Sequence, residues 1–140
     1  MTAPVTRVEF RVRYAETDRM GVVYHGNYLI WCEIGRTEHM RQFGLPYRSM
    51  EEQGVSLAVA EASIRYQKPA RYDDRIRVET TLADVSSRTV TFDYAILNAD
   101  SDDRLATART TLISLDPSGR VIALPTESRA ILRRAAGMAD

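Results

Sequence analysis

The residues best suited to chemistry lie in one run, Tyr14-Ala-Glu-Thr-Asp-Arg-Met-Gly-Val-Val-Tyr-His-Gly-Asn-Tyr28. Asp18 lies here in a predicted turn with Gly21, a few residues before an apolar helix. We expect that helix to begin near Asn27, a good N-cap residue. The first amides of a helix lack partners within it and favour an oxygen that carries negative charge. A carboxylate beside such amides predicts a pocket suited to hydrolysis of an activated acyl group.

The elements on either side of this run have clear periods. Alternation over residues 7–14 predicts a half-buried strand, with every second residue from Val8 to Tyr14 facing the core. The helix is predicted to run to Phe43 and to be capped by Gly44. Its first half is apolar nearly all round, which predicts burial inside something larger than another helix.

A period of two returns after a short helical segment over 47–53. It predicts further strands over 55–66, 75–85, 90–96 and 105–115, an extended segment over 120–123, and a last helix over 126–135. Strands of this length imply a strongly curved sheet. A curved sheet that wraps the helix would bury the apolar surfaces of both elements, so we expect a single α+β domain over 1–140. An open sheet edge is expected to pair with a second copy.

Composition narrows the classes of partner. The chain has 19 basic and 19 acidic residues, which favours neither nucleic acid nor a membrane surface. No stretch approaches the ~20 apolar residues of a spanning helix, and the start has no signal-peptide core. The single cysteine, Cys32, fits a reducing compartment, so we expect a cytoplasmic protein. Two histidines and one cysteine do not make a metal site, and no cofactor is expected.

The run over 14–28 closely resembles the hotdog-fold acyl-CoA thioesterases of the 4-hydroxybenzoyl-CoA thioesterase-like group. Weaker matches lie over 44–46 and 66–74, and the likeness extends from about Val8 to Arg134. Within the group the chain is most similar to the branch associated with the bacterial Tol–Pal envelope system. The resemblance implies a hotdog fold, in which a curved antiparallel sheet wraps one long helix. It also implies a homodimer or a dimer of dimers, with active sites at the subunit interface.

The resemblance assigns roles to single residues. Asp18 matches the catalytic carboxylate, and the amide of His25, with Gly26 at the helix start, matches the oxyanion donor. Asp18 is then a nucleophile or a general base, although an aspartate in a turn can also merely brace amides. We expect His25 to line the pocket, and Tyr24 either to offer its hydroxyl to substrate or to pack on the helix. Some relatives carry Trp-Tyr-Pro where this chain has Tyr24-His25-Gly26, and this difference weakens the case for an aromatic acyl-CoA substrate.

A coenzyme A ester is the expected substrate, and its several negative charges require a basic entrance. The predicted contacts are Lys68, Arg71, Ser87 and Arg88, the last two lying where the family's nucleotide contacts are found. The alternative is that these are ordinary solvated loop residues.

The central helix carries other residues of reactive types. Cys32 and His39 share a face but lie about 10 Å apart along the axis, too far to act as a nucleophile–base pair. Cys32 is therefore predicted to be a small buried residue. Two carboxylates are expected to form solvated ion pairs along the helix: Glu33 and Glu38, with Arg36 or Arg41.

Two other functions stay open from the sequence. A hotdog hydratase or dehydratase would need His25 to face Glu33 or Glu38 as a proton carrier. A non-catalytic acyl-CoA-binding protein would keep the pocket but would not need Asp18, so the presence of that carboxylate counts against it.

Overall fold

The computed structural model describes residues 3–138. The elements in chain order are β1 (Val5–Arg11), a 3₁₀ turn (Tyr14–Glu16), α1 (Asn27–Gln42), α2 (Tyr47–Glu52), β2 (Ser56–Tyr66), β3 (Arg75–Val85), β4 (Thr89–Asn98), β5 (Arg104–Leu115) and α3 (Thr126–Ala135). The described strands form one five-stranded antiparallel sheet in the order β1-β3-β4-β5-β2. This confirms the predicted α+β class, with one long helix against one sheet.

Helix α1 packs on the inner face of the sheet, where the alternation predicted for β3 and β4 is confirmed. The fully buried residues of these strands include Ile76, Val78, Leu82, Val90, Phe92 and Ile96. A Cβ atom on Gly35 would lie 2.4 Å from Thr80 Oγ1 and 2.8 Å from Val78 Cγ1. The helix therefore approaches β3 more closely than any side chain at position 35 would allow.

Strand β1 is shorter than predicted. It ends at Arg11, and the amide of Val12 donates to Asp74 O in the β2–β3 loop at 2.9 Å. The chain then turns away from the sheet into the 3₁₀ turn, so Tyr14 is 77% exposed rather than facing the core. The predicted segment over 120–123 is reduced to one bridge between Leu115 and Val121.

The end of α1 follows the prediction, but its first half does not. Gly44 has φ of +79° and the amide of Leu45 donates to Met40 O, as expected of a left-handed cap. The outward side of α1, however, keeps large apolar residues 40–48% exposed: Leu29, Ile30 and Ile34. The prediction that the first half of α1 is buried on all sides was therefore wrong for the single chain, because the sheet covers only one side of the helix.

Strand β2 lies at the sheet edge, and its pairing in residues 3–138 is with β5 alone. Its residues are mostly exposed, including Val59 at 50%. The flank formed by β2 and the outward side of α1 is thus both apolar and unpaired in the single chain. Within the described residues no helix is long and apolar enough to cross a membrane.

His39 is fully buried between α1 and the sheet. Its Nδ1 lies 2.7 Å from Thr6 Oγ1, and its ring packs against Phe43 and Phe92 at centroid distances of 4.8 and 6.3 Å. Burial lowers the pKa of His39 to about 4. The imidazole is therefore neutral in the folded protein at any pH above that value.

Acidification should destabilise the fold through His39. Between about pH 7 and pH 5 the unfolded state gains a proton that the folded state excludes, so the free energy of unfolding should fall by about 2 kcal/mol. Urea denaturation across this pH range measures the slope. His39→Gln should remove the slope, whereas the same change at the exposed His25 should retain it. An equal slope in both variants would contradict this account.

Candidate active site

Asp18 lies in a tight turn that its own main chain closes. Its N–H donates to Val22 O at 2.9 Å, and its carbonyl accepts from Gly21 N–H at 3.0 Å. Gly21 has φ of +78°, a conformation that favours glycine. Asp18 Oδ1 accepts a hydrogen bond from Met20 N–H at 2.8 Å. The Asp18 side chain therefore does brace a turn amide. In residues 3–138 no hydrogen bond reaches its Oδ2, which stays available to a ligand.

The buried carboxylate of Glu16 holds this turn against α1. Its Oε2 accepts from Trp31 Nε1 at 2.9 Å, and its Oε1 accepts from Arg13 N–H at 2.8 Å. Its main-chain carbonyl accepts from Tyr24 N–H at 2.9 Å and from the Asn27 side-chain amide at 2.8 Å. One residue thus joins the start of the turn to its end and to the first turns of the helix.

The ionisation of Glu16 is set by opposing effects. Burial raises its pKa, but the hydrogen bonds from the Arg13 amide and the Trp31 indole, with the nearby Arg13 guanidinium, bring the pKa below its ordinary value. Sequence reasoning did not assign Glu16 a role, although it lies in the recognised run. The available signal was a carboxylate just ahead of a helix that carries the single tryptophan of the chain.

The start of α1 bears on two predictions, the N-cap residue and the oxyanion donors. Gly26, not Asn27, occupies the N-cap position, because the Asn27 amide reaches back to Glu16 instead of capping. Asn27 N–H is satisfied by Tyr24 O at 2.9 Å. The N–H groups of His25 and Gly26 find no acceptor within the described chain. These two amides are the predicted oxyanion donors, and both are free to meet a ligand.

His25 lines a cleft of about 280 Å³ between the start of α1 and the end of β2. Lys68 lies on the opposite wall, and the Tyr66 hydroxyl donates to His25 O at 2.9 Å. The exposed Tyr24 ring packs against the His25 ring at a centroid distance of 4.4 Å, with the ring planes tilted by 43°. The structure therefore groups His25 with Tyr24 and Lys68. Asp18 is not among the residues that line this cleft, and is connected to it through the turn.

The four predicted coenzyme A contacts do not form one cluster in a single chain. Lys68 and Arg71 follow β2, whereas Ser87 and Arg88 lie in the β3–β4 turn. The whole of β3 separates the two pairs, a distance of about 33 Å at the usual rise per residue. Lys68 forms an ion pair with Asp103 at 3.2 Å, and the other three residues are exposed.

The remaining candidates on α1 have structural surroundings. Cys32 is fully buried, and burial raises its pKa to about 12, which confirms the prediction of a small core residue. Glu38 forms the predicted ion pair with Arg41. Glu33 forms no ion pair within residues 3–138. The same part of the chain contains no group of three or more His, Cys, Asp or Glu residues arranged to bind a metal.

Comparison with known proteins finds matches to the sequence and to the fold. A family model described as the thioesterase-like superfamily matches residues 12–133. The chain is 30% identical over 117 residues to the acyl-CoA thioester hydrolase YbgC of Escherichia coli, covering 84% of this chain and 87% of that protein.

Two solved structures share the fold. Protein TT1821 from Thermus thermophilus superposes with a TM-score of 0.86 at 34% identity, covering 94% of this chain and 98% of that one. DHNA-CoA thioesterase from Staphylococcus aureus gives a TM-score of 0.82 at 33% identity, covering 86% and 80%.

Replacement of Glu16 by Gln should loosen the turn that carries Asp18. A glutamine amide must point a donor group at either Trp31 or Arg13, which leaves buried donors facing each other and costs about 1–3 kcal/mol. Urea unfolding followed by the fluorescence of Trp31 measures the loss. Glu9→Gln is the matched control, since Glu9 pairs with an arginine only at the surface and should cost less than about 1 kcal/mol. Equal losses in the two variants would count against the anchoring role.

Proposed function

This chain belongs to the thioesterase-like superfamily, and on that premise we propose that it hydrolyses acyl-CoA thioesters to a free acid and coenzyme A. The family match and the structural neighbours confirm the resemblance seen in the sequence and the hotdog fold. One observation supports the proposal above all. The turn that exposes Asp18 Oδ2 is tied, through Glu16, to a helix start whose first amides lack acceptors.

In the proposed reaction, the thioester carbonyl oxygen accepts hydrogen bonds from the His25 and Gly26 amides. Asp18 then attacks the carbonyl carbon to give a mixed anhydride that water cleaves, or it deprotonates a water that attacks directly. The C–S bond breaks as the tetrahedral intermediate collapses, and the thiolate leaves with its electron pair to be protonated. Each oxyanion donor typically contributes about 2.7–4 kcal/mol.

Of the two remaining catalytic candidates, His25 lines the cleft and Tyr24 contacts His25. The His25 ring is exposed and lines the cleft wall, so it is placed to orient water or the leaving thiolate. The Tyr24 ring packs on His25, and its edge lies 3.0 Å from where a Cβ atom on Gly26 would be. Tyr24 therefore shapes the approach to the oxyanion donors in addition to offering a hydroxyl.

A homodimer formed through β2 is part of this proposal. An unpaired edge strand of 11 residues is a template for a second strand. The neighbouring apolar side chains of α1 and β2 would border the same contact, Leu29, Ile30 and Val59 among them. Antiparallel pairing of two β2 strands around a two-fold axis joins the sheets and covers this flank.

This dimer would also bring the predicted coenzyme A contacts together. Lys68 and Arg71 lie at the end of the sheet where β2 finishes, and the β3–β4 turn lies at the opposite end. Antiparallel pairing places the β3–β4 turn of the second copy at the same end as Lys68. The remaining separation is three or four strand spacings, about 14–19 Å. A coenzyme A ester that lies across the seam would then meet basic residues from both copies.

The finer assignments from the sequence stay predictions. They are the dimer of dimers, the cytoplasmic location and the Tol–Pal branch. No observation favours the hydratase alternative, because Glu38 is already paired with Arg41 and Glu33 lies about two helical turns from His25. The relative from Staphylococcus aureus is named for an aromatic acyl-CoA, so aromatic esters belong in the substrate screen.

Asp18→Asn should abolish most of the activity while it preserves the fold. The asparagine side-chain oxygen can still accept from Met20 N–H, so the turn is retained, but the amide is neither a nucleophile nor a base. Thiol release across a panel of acyl-CoAs should fall by at least about a hundredfold, with an unchanged midpoint of urea unfolding. Wild-type turnover in this variant would refute the assignment. Hydration of crotonyl-CoA without thiol release would indicate a hydratase, and tight acyl-CoA binding without turnover would indicate a binding protein.

Val59→Asp should convert the proposed dimer to a monomer, because it places a charge in the apolar seam. Val121→Asp is the matched control, since Val121 is exposed to almost the same degree, 48% against 50%, but pairs with Leu115 of β5 and is not part of β2. Light scattering coupled to size-exclusion chromatography gives the mass of each variant. If Val59→Asp and wild type have the same mass, the β2 seam is wrong.

A further inference from the structure

A groove follows α1 away from the candidate site. Beyond the cleft at His25 lies a second cleft of about 250 Å³, walled by Leu29 of α1 and Val59 of β2. A third, of about 230 Å³, is walled by Met40 of α1 and Leu57 of β2. The lining residues advance along α1 and retreat along β2 from one cleft to the next. The second and third clefts share Glu33 and Arg36 and so form one groove, and the cleft at His25 lies toward the end of this groove nearer the proposed oxyanion donors.

Arg36 brings a charge into the middle of this groove. It lines both the second and the third cleft, together with Glu33, and is half-buried. Within residues 3–138 no carboxylate lies within 4 Å of its guanidinium, whereas Arg41 on the same helix pairs with Glu38. The guanidinium therefore keeps N–H donors that no carboxylate of the described chain accepts from.

The buried hydroxyl beside Arg36 supplies no negative charge. Tyr94 is buried beside Thr110, which lines the second cleft; its hydroxyl is 2.7 Å from Thr110 Oγ1 and contacts the Arg36 side chain. Burial raises the pKa of Tyr94 to about 12, against the opposing effects of Thr110 and Arg36. The hydroxyl is therefore neutral at physiological pH and gives the positive charge of Arg36 no counter-ion.

Resting on the thioesterase function proposed above, we propose that this groove receives the acyl group and that Arg36 selects acyl chains that end in a carboxylate. The apolar walls suit methylene groups, and the planar guanidinium matches a carboxylate in a two-pronged hydrogen-bonded pair. Asn27 and Arg36 are about 13.5 Å apart along the helix axis. Because helical side chains incline toward the N-terminus, an ω-carboxyacyl group of medium length reaches from the oxyanion donors to Arg36.

The test compares two esters of matched length, suberoyl-CoA and octanoyl-CoA. Wild type should have the higher kcat/KM for suberoyl-CoA, and Arg36→Gln should lower the ratio of suberoyl to octanoyl kcat/KM by about tenfold to a hundredfold. Arg36→Lys should retain part of the preference. Arg41→Gln, which removes a paired arginine from the same helix, should leave the ratio at the wild-type value. Because each ratio is measured within one variant, partial unfolding does not alter it.

Binding of non-hydrolysable thioether analogues of the two esters, measured by calorimetry, separates failure of this inference from failure of the proposed function. A wild-type preference for the octanoyl analogue, or an unchanged ratio in Arg36→Gln, would overturn carboxylate selection even if hydrolysis is observed. Absence of thiol release from every ester, with tighter binding of the carboxylate analogue that is lost in Arg36→Gln, would overturn the thioesterase function and retain carboxylate selection.

Discussion

The candidate site depends on the burial of one carboxylate, that of Glu16. A buried carboxylate is stable only when hydrogen-bond donors replace the water it has lost. Here the Trp31 indole and the Arg13 amide are those donors. Trp31 is itself fixed in the core, edge-on to Phe10 at 5.5 Å. These hydrogen bonds fix the turn that holds Asp18 relative to the core helix. They thereby fix the Asp18 carboxylate relative to the His25 and Gly26 amides.

The same helix connects the fold to its incomplete side. Gly35 lets α1 settle onto β3, which buries one side of the helix fully and leaves the other uncovered. That uncovered side and the free edge of β2 border the groove that contains Arg36. The apolar surface that a second copy would bury and the cavity that a substrate would fill thus lie on the same flank. The split of the basic residues between the two ends of the sheet has the same explanation, since one chain is half of the proposed arrangement.

The sequence predicted the fold class, most element boundaries and the family because those features are local. Alternation in β3 and β4, the cap at Gly44 and the turn at Gly21 each follow from residues adjacent in the chain, and the structure agrees. Predictions from local patterns failed where a segment forms contacts with a distant part of the chain. Tyr14 continues an alternating pattern but leaves the sheet, because Val12 already bonds to the β2–β3 loop.

The sequence by itself was enough to predict a hotdog domain that resembles thioesterases. It also located the short run that contains the candidate reactive groups. Tertiary structure alone decided that Glu16 is the anchor, that Asn27 serves Glu16 instead of capping the helix, and that Arg36 lines a groove without forming an ion pair in the described chain. The physical reason is the distance along the chain over which each kind of interaction acts. Propensity and turn chemistry act over a few neighbouring residues, whereas burial, charge pairing and cavity shape depend on segments that come together only after the chain has folded.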